Sequence, residues 1–175
     1  MEFAPSEDLV CGFEKHFGLT LPTDYRNFLV RYGGVSANVS CPFQEPTPCG
    51  NKAEIGRFYG FTLPDRRDNV VYRTERADGY PDVIAIGDNL MGQEFWLKCL
   101  GWDAGHVYMY DNQGRSAWPD EMFYKMFSNL HVEIKKFLAI RREGKLPGKR
   151  RGYEHVYLLA KNFGEFIDLL KPDRE

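Results

Sequence analysis

The chain has 175 residues and a formal net charge of −2, and at this length one domain can bury a core of its own. Hydrophobic residues make up 43% and charged residues 27%, which argues against a disordered or fibrous chain, and the balanced charge disfavours a strongly basic nucleic-acid binder. Aromatic residues reach 15%, a content that favours packing and binding because aromatic side chains dominate cores and interfaces.

Membrane insertion and secretion find no support in the sequence. No stretch approaches the roughly 20 apolar residues that span a bilayer, and residues 1–10 lack the basic-then-apolar order of a secretory signal. We therefore expect a cytoplasmic protein with reduced thiols. Cys41 and Cys49 bracket a Pro-containing stretch where a loop disulfide or half of a metal site is conceivable, but their spacing is wider than zinc ligand pairs usually have, so neither is favoured.

Two helices are predicted at the start of the chain. The first runs from Ser6, a good N-cap, to Gly18, with apolar residues at helical spacing between them. The second begins at Pro22 and stops at Gly33. Its apolar face, at i, i+3, i+4 and i+7, consists of Tyr25, Phe28, Leu29 and Tyr32.

The middle of the chain predicts a loop followed by short strands. Residues 35–56 are rich in Pro, Cys, Asn and Ser without a clear period, which predicts a loop-dominated excursion. Residues 55–61 have the aromatic content of a strand, and residues 65–78 predict a helix or a long connection. Turn residues then separate three runs that predict a β-meander, at 83–86, 94–98 and 106–110.

A change of period marks the last third of the chain. A long amphipathic helix is predicted from Pro119 to just before Gly144. Residues 141–151 contain six basic residues and one acid, a local charge of +5, and are expected to be exposed and mobile. A strand at 156–159 and a helix capped by Asn162 follow, so the order of elements predicts an α+β fold.

Five ordered segments carry a resemblance to a known family. They are FEKHFGLTLPTDYRNFLVRYGG at 13–34, FYGF at 58–61, VIAIGDNLMGQEFWL at 83–97, HVYMYD at 106–111 and YLLAKNFGEFIDLL at 157–170. As a set they resemble the SUKH superfamily, the group named for Smi and Knr proteins that includes many bacterial toxin-immunity proteins. Residues 35–56 and 115–153 lie outside this pattern, and the latter look like a helical insertion before the closing strand and helix.

The resemblance implies a fold and a class of function. It implies a single domain over residues 1–175, with a curved, mixed or mostly antiparallel β-sheet flanked by helices. It also implies no catalytic residues, no cofactor and a protein partner. Many members of the family neutralise a cognate toxin, such as a nuclease, by blocking its active site, and others are regulatory scaffolds of the cell-wall or signalling type.

Acidic residues at strand ends and turns are the candidate binding site. They could converge on one rim and face a basic partner, with two aromatic residues as anchors; alternatively, Asp is there because it favours turns for local hydrogen bonding. The predicted partner-binding residues are Glu45, Asp65, Tyr80, Asp82, Asp88, Glu94, Trp102, Asp103 and Asp111.

Catalysis and nucleic-acid binding have weaker support. The four histidines form no short-range metal pair and no nucleophile-elbow motif occurs, so neither a metal site nor an enzyme is expected. A small metal-dependent hydrolase would have to use Asp88, Glu94 and His106. Nucleic-acid binding would depend on residues 141–151 alone for contacts to phosphates. A nucleic-acid-binding protein is therefore disfavoured. We expect a monomer or a weak homodimer.

Overall fold

The computed structural model describes residues 5–61, 66–77, 80, 82–89 and 91–173. Within these residues the helices are α1 (Glu7–Phe17), α2 (Thr23–Tyr32), α3 (Val70–Thr74), α4 (Asp120–Met126), α5 (Val132–Arg142) and α6 (Phe163–Leu169). The strands are β1 (Val35–Thr47), β2 (Gly50–Phe58), β3 (Val83–Asp88), β4 (Glu94–Lys98), β5 (Val107–Tyr110), β6 (Val156–Ala160) and β7 (Lys171–Pro172). Short 3-10 helices occur at Arg66–Asp68 and Arg115–Ala117.

All described strands form one sheet in the order β6-β5-β4-β3-β2-β1-β7, and every pairing is antiparallel. The sheet curls into a half-barrel, so β1 faces β6, and the rings of Phe43 and Tyr157 meet there with centroids 6.1 Å apart. At the other side of β1, β7 pairs with Val39 and Ser40. The predicted α+β class and the β-meander, formed by β3, β4 and β5, are confirmed.

Side-chain caps begin α1 and α6, and a glycine follows the end of α1, as the sequence predicts. The Ser6 hydroxyl accepts a hydrogen bond from the Leu9 amide at the start of α1, and Gly18 follows its end with φ +64°. The Asn162 amide oxygen accepts from the Glu165 amide at the start of α6, 2.8 Å away. These contacts confirm both predicted starts.

The loop predicted at residues 35–56 is wrong, because β1 and β2 form a long hairpin there. The prolines and polar residues that suggested a loop are tolerated where register shifts interrupt the pairing, between Ser36 and Val39 and between Pro42 and Thr47. The single helix predicted after Pro119 is also wrong. It breaks after Met126, and His131 caps the second helix by accepting from the Glu133 amide.

Two glycines let main chains approach more closely than a side chain allows. A Cβ on Gly60, in the FYGF segment, would lie 1.5 Å from the carbonyl oxygen of Gly33 at the end of α2. A Cβ on Gly87 would lie 2.3 Å from the carbonyl oxygen of Arg57, where β2 pairs with β3. These two segments of the family pattern are therefore tied to their neighbours through the backbone.

Two hydrophobic clusters form the interior. The larger lies between the sheet and the helices α1, α2, α3 and α6. The smaller belongs to residues 115–153, the predicted insertion, and contains Phe123, Leu130, Ile134, Phe137 and Leu138. The apolar stripe predicted for the long helix is thus a core, even though the helix itself is broken.

Candidate partner-binding surface

Asp88 lies in the interior at the end of β3, where only 3% of it is exposed. Its carboxylate accepts a hydrogen bond from Arg57 Nε at 2.8 Å and one from the Tyr59 hydroxyl at 2.9 Å. Arg73 Nη2 lies 3.6 Å away. A buried carboxylate is stable when it is paired and hydrogen-bonded in this way, so Asp88 ties β2 and α3 to β3.

Glu94 belongs to the same charge network, on the neighbouring strand. It accepts hydrogen bonds from Arg73 Nη1 and from the Trp96 indole, each at 3.1 Å. Burial raises the pKa of the Glu94 carboxyl, and both hydrogen bonds oppose that shift. Asp88 and Glu94 are partners in the β3–β4 register, and both face cations of this chain.

Asp103 and Asp111 are fully buried. Asp103 Oδ2 accepts from the hydroxyls of Tyr108 and Tyr153, each at 2.9 Å, and Asp111 Oδ2 accepts from the Arg115 amide at 2.8 Å. Burial, together with the hydrogen bond to Asp103, raises the pKa of Tyr153 to about 12. Both aspartates organise turns, which is the local role considered for them from the sequence.

The accessible members of the predicted set lie apart from those carboxylates. Trp102, in the turn between β4 and β5, is 64% exposed, whereas Tyr80 is half-buried against Trp96 with ring centroids 4.6 Å apart. Asp82 is exposed, 3.5 Å from the ammonium of Lys98. Asp65 lies outside the described residues. The structure therefore does not arrange the acids as one continuous exposed rim, and their contact with a partner stays a prediction.

Glu45, on β1, is covered by the segment 143–153, which we call the basic strap. Lys149 of the strap donates a hydrogen bond to Glu45 Oε1 at 2.6 Å and another to the Val156 carbonyl. Its ammonium also lies 4.0 Å from the centroid of the Tyr157 ring. Burial lowers the pKa of Lys149, and the carboxylate of Glu45 opposes the shift.

Full exposure of residues 141–151 is therefore wrong at three positions, one of them Leu146, which packs against the smaller hydrophobic cluster. Lys149 is enclosed by Glu45 and Tyr157, and Arg141 donates to the Trp118 carbonyl at 2.8 Å while pairing with Asp120. A run of basic residues predicts a solvated segment, and nothing in the order of its residues reveals which cations fold back onto the domain.

A cavity of about 430 Å³ opens beside the strap, between the insertion and the sheet. Ser116 and His155 line it and are hydrogen-bonded, with Oγ and Nδ1 2.6 Å apart. In the described part of the chain no carboxylate is hydrogen-bonded to either side chain, so the arrangement lacks the third group that orients a catalytic histidine.

The fold does not bring together the three residues that the hydrolase alternative requires. Asp88 and Glu94 lie at one end of β4, whereas the His106 carbonyl accepts from the Lys98 amide at the other end. Among the described residues no group of His, Cys, Asp and Glu could hold a metal ion. Cys41 and Cys49 are free thiols, and burial raises the pKa of each to about 12.

Sequence reasoning missed the residues that build the surface around Glu45. Arg150 covers the ring of Trp102, with the guanidinium carbon 4.3 Å from the centroid, and Tyr153 reaches Asp103. Trp102 and Arg150 are far apart in the chain and belong to different predicted segments. The signal in the sequence for this contact was opposite charge, since the strap is basic and the predicted site is acidic.

The fold and this surface define an α+β protein with a curled antiparallel sheet, helices packed against it and a helical insertion with its own apolar cluster. A family model described as the SMI1 / KNR4 family (SUKH-1) matches residues 4–169, so the chain belongs to this family. The resemblance seen in the sequence is thereby confirmed. Comparison with curated proteins and with solved structures gave no match. None of the described helices is long and apolar enough to cross a membrane.

Proposed function

We propose that this protein is an immunity-type protein, which binds a toxin domain and neutralises it by covering its active site. Membership of the SUKH-1 family over residues 4–169 is the observation that carries the proposal. A cytoplasmic location suits a toxin that acts inside the cell.

The turn between β4 and β5 is the proposed centre of the binding surface. Trp102 is the large, rigid and exposed side chain that interface centres favour. Glu45, Tyr80 and Asp82 lie on elements near it and complete the proposed contact set with negative charge and aromatic surface. A basic partner, such as a nuclease cleft, fits that charge.

The buried carboxylates support this surface from below. Asp103 is held within the same turn, where the His106 amide donates to its carbonyl at 3.0 Å and two tyrosine hydroxyls donate to its carboxylate. A turn fixed this firmly loses little conformational entropy on binding. We therefore assign Asp103 and Asp111 to positioning, and Asp88 and Glu94 to holding the strands.

The test is binding and growth rescue with two matched variants. The purified chain is used as bait in lysate of its source organism, and a stoichiometric partner identified by mass spectrometry is then co-expressed with it. Trp102→Ala should weaken binding by at least about tenfold, as expected at an interface centre, and abolish rescue. Met91→Ala removes a side chain that is 74% exposed in the β3–β4 turn, at the opposite end of β4, and should change neither.

Two outcomes decide between the candidate functions, and a third tests the place of Trp102. Recovery of a toxin whose growth inhibition is relieved by co-expression supports the proposal. Recovery of only the cell's own signalling or envelope proteins overturns it in favour of a regulatory scaffold. Equal loss of binding in both variants removes Trp102 from the centre of the surface.

A further inference from the structure

The basic strap is attached to the domain chiefly by side chains. Its main chain forms hydrogen bonds near its ends, from Lys145 to Ile140 and from Tyr153 to Arg150. Between residues 146 and 149 the described structure contains no main-chain hydrogen bond, and the strap has neither helix nor strand. Gly144 and Gly152 both have positive φ, +68° and +89°. Such a segment can detach without breaking secondary structure.

Two adjacent cations of the strap fit two adjacent sites on the domain. The Lys149 ammonium is enclosed by a carboxylate, a carbonyl and the Tyr157 ring, and the Arg150 guanidinium stacks over Trp102. Cation–π and charge-assisted contacts of this kind recognise lysine and arginine from any chain. The strap thus supplies cations to a surface that is itself acidic and aromatic.

Unfilled space remains under these two contacts. A cavity of about 340 Å³ lies between the strap and the sheet. Its walls include Glu45 and Tyr108 on the sheet, Trp102 in the β4–β5 turn and Tyr153 at the end of the strap. Asp103 holds both tyrosines from behind. This cavity is open to solvent, so the strap borders the face without packing against all of it.

We propose that this face is a docking site for a basic segment of the protein partner, and that Lys149 and Arg150 occupy it as an internal stand-in until the partner displaces them. The inference rests on the proposed function for the existence of a partner, and it adds the chemistry of the contact: neighbouring Lys or Arg side chains. A closed strap lowers the apparent affinity by the fraction of molecules that are open. Removing the two cations should therefore strengthen binding of a basic segment.

The probe is a labelled peptide with the strap's own sequence, KLPGKRR, residues 145–151, blocked at both ends. Fluorescence anisotropy measures its binding to the full chain and to a Lys149→Met/Arg150→Ala variant, in which Met keeps most of the lysine hydrocarbon. We expect the variant to bind at least about tenfold more tightly than the unsubstituted chain. Adding Trp102→Ala or Glu45→Gln to that variant should reverse the gain.

The matched controls separate this site from general charge attraction. Lys145→Met removes a strap cation whose side chain is 72% exposed and paired with Glu143, and it should leave peptide affinity unchanged. A peptide with alanine at the positions of Lys149 and Arg150 should not bind the double variant. Near-ultraviolet circular dichroism checks that each variant is folded.

Different results would contradict the docking site and the immunity function. Equal peptide binding by the unsubstituted chain and the double variant, or binding that survives both Trp102→Ala and Glu45→Gln, overturns the docking site even when partner rescue succeeds. Failure to rescue growth with any toxin, combined with peptide binding that follows the expected order, removes the immunity role and leaves a receptor for basic segments.

Discussion

Two regions of the molecule, the sheet with its four helices and the insertion at residues 115–153, are stabilised differently. The sheet region is joined by buried charges and close main-chain contacts, such as Asp88 with Arg57 and Gly60 with Gly33. The insertion has a small cluster of apolar side chains around Phe123 and leaves Tyr124 and Met126 more than half exposed.

This difference shows which residues the family pattern requires. FYGF contributes Tyr59 to the Asp88 carboxylate and Gly60 to the contact with α2, and VIAIGD contributes Asp88 and Gly87. These residues of the family segments therefore join β2, β3 and α2 within the sheet region. In the insertion the apolar cluster around Phe123 has the corresponding role.

The largest expected effect is that of Gly60→Ala. Since the new Cβ would lie 1.5 Å from the Gly33 carbonyl oxygen, α2 and the end of β2 must separate, at a cost of about 3 kcal/mol or more. Thermal unfolding followed by circular dichroism should show a large fall in Tm or no folded protein. Gly12→Ala is the control, because its Cβ meets nothing within 4 Å and the change favours α1 by about 0.5–1 kcal/mol. Similar Tm values for both variants would refute the close contact.

Phe123→Ala tests whether the insertion is a separate unit. Phe123 is fully buried, and its loss should destabilise the insertion by about 3–5 kcal/mol. Hydrogen exchange should accelerate in α4 and α5 while the amides of β3, β4 and β5 stay protected. Met126→Ala, at a position 58% exposed on the same helix, should change neither region. Equal acceleration in the sheet would mean that the two regions unfold together.

Asp88→Asn tests the buried charges of the sheet. The substitution leaves Arg57 and Arg73 without their shared carboxylate, and such a loss costs about 3 kcal/mol in a buried pair. Urea unfolding should show a lower midpoint with an unchanged slope. The exposed pair of Glu143 and Lys145 supplies the control, since Glu143→Gln should cost less than about 0.5 kcal/mol. An unchanged midpoint for Asp88→Asn would show that strand pairing and packing hold β2 to β3 without the buried charge.

The smallest effect is the pH dependence of Glu94. Its folded-state pKa is raised above the unfolded value of 4.5, so its contribution to stability is fully present below that value and is lost as the pH rises through the folded pKa. Stability of the unsubstituted chain should therefore fall relative to Glu94→Gln as the pH is raised from 4 toward neutrality. Paired urea titrations measure the difference, and a constant difference across that range would contradict the shift.

The sequence predicts most of this fold because local patterns agree with it. Helix caps such as Ser6 and Asn162 and the short, apolar meander strands act over a few residues. The sequence did not predict the β1–β2 hairpin, because its register shifts break the alternation of apolar and polar residues that marks a strand. No Gly or Pro marks the break between α4 and α5 either, where His131 supplies the cap.

The proposed binding surface was less predictable because it depends on contacts between distant parts of the chain. Carboxylates at strand ends resemble a rim in the sequence, but whether Asp88 faces solvent or Arg57 is decided by strand pairing. Trp102 is recognisable as exposed because it lies in a turn. Its neighbour Arg150 is distant in the sequence, and the two side chains are in contact only because the insertion folds back onto the domain.

The two-residue strand β7 has a consequence for self-association. It pairs with the middle of β1, the longest strand described, and Asp173 follows it with a hydrogen bond to the Asn38 carbonyl and an ion pair to Lys52. Pro172 has no amide hydrogen to offer, and the exposed Lys171 adds a positive charge to this edge. Both features disfavour the addition of a strand from a second molecule where β7 lies, beside Val39 and Ser40 of β1.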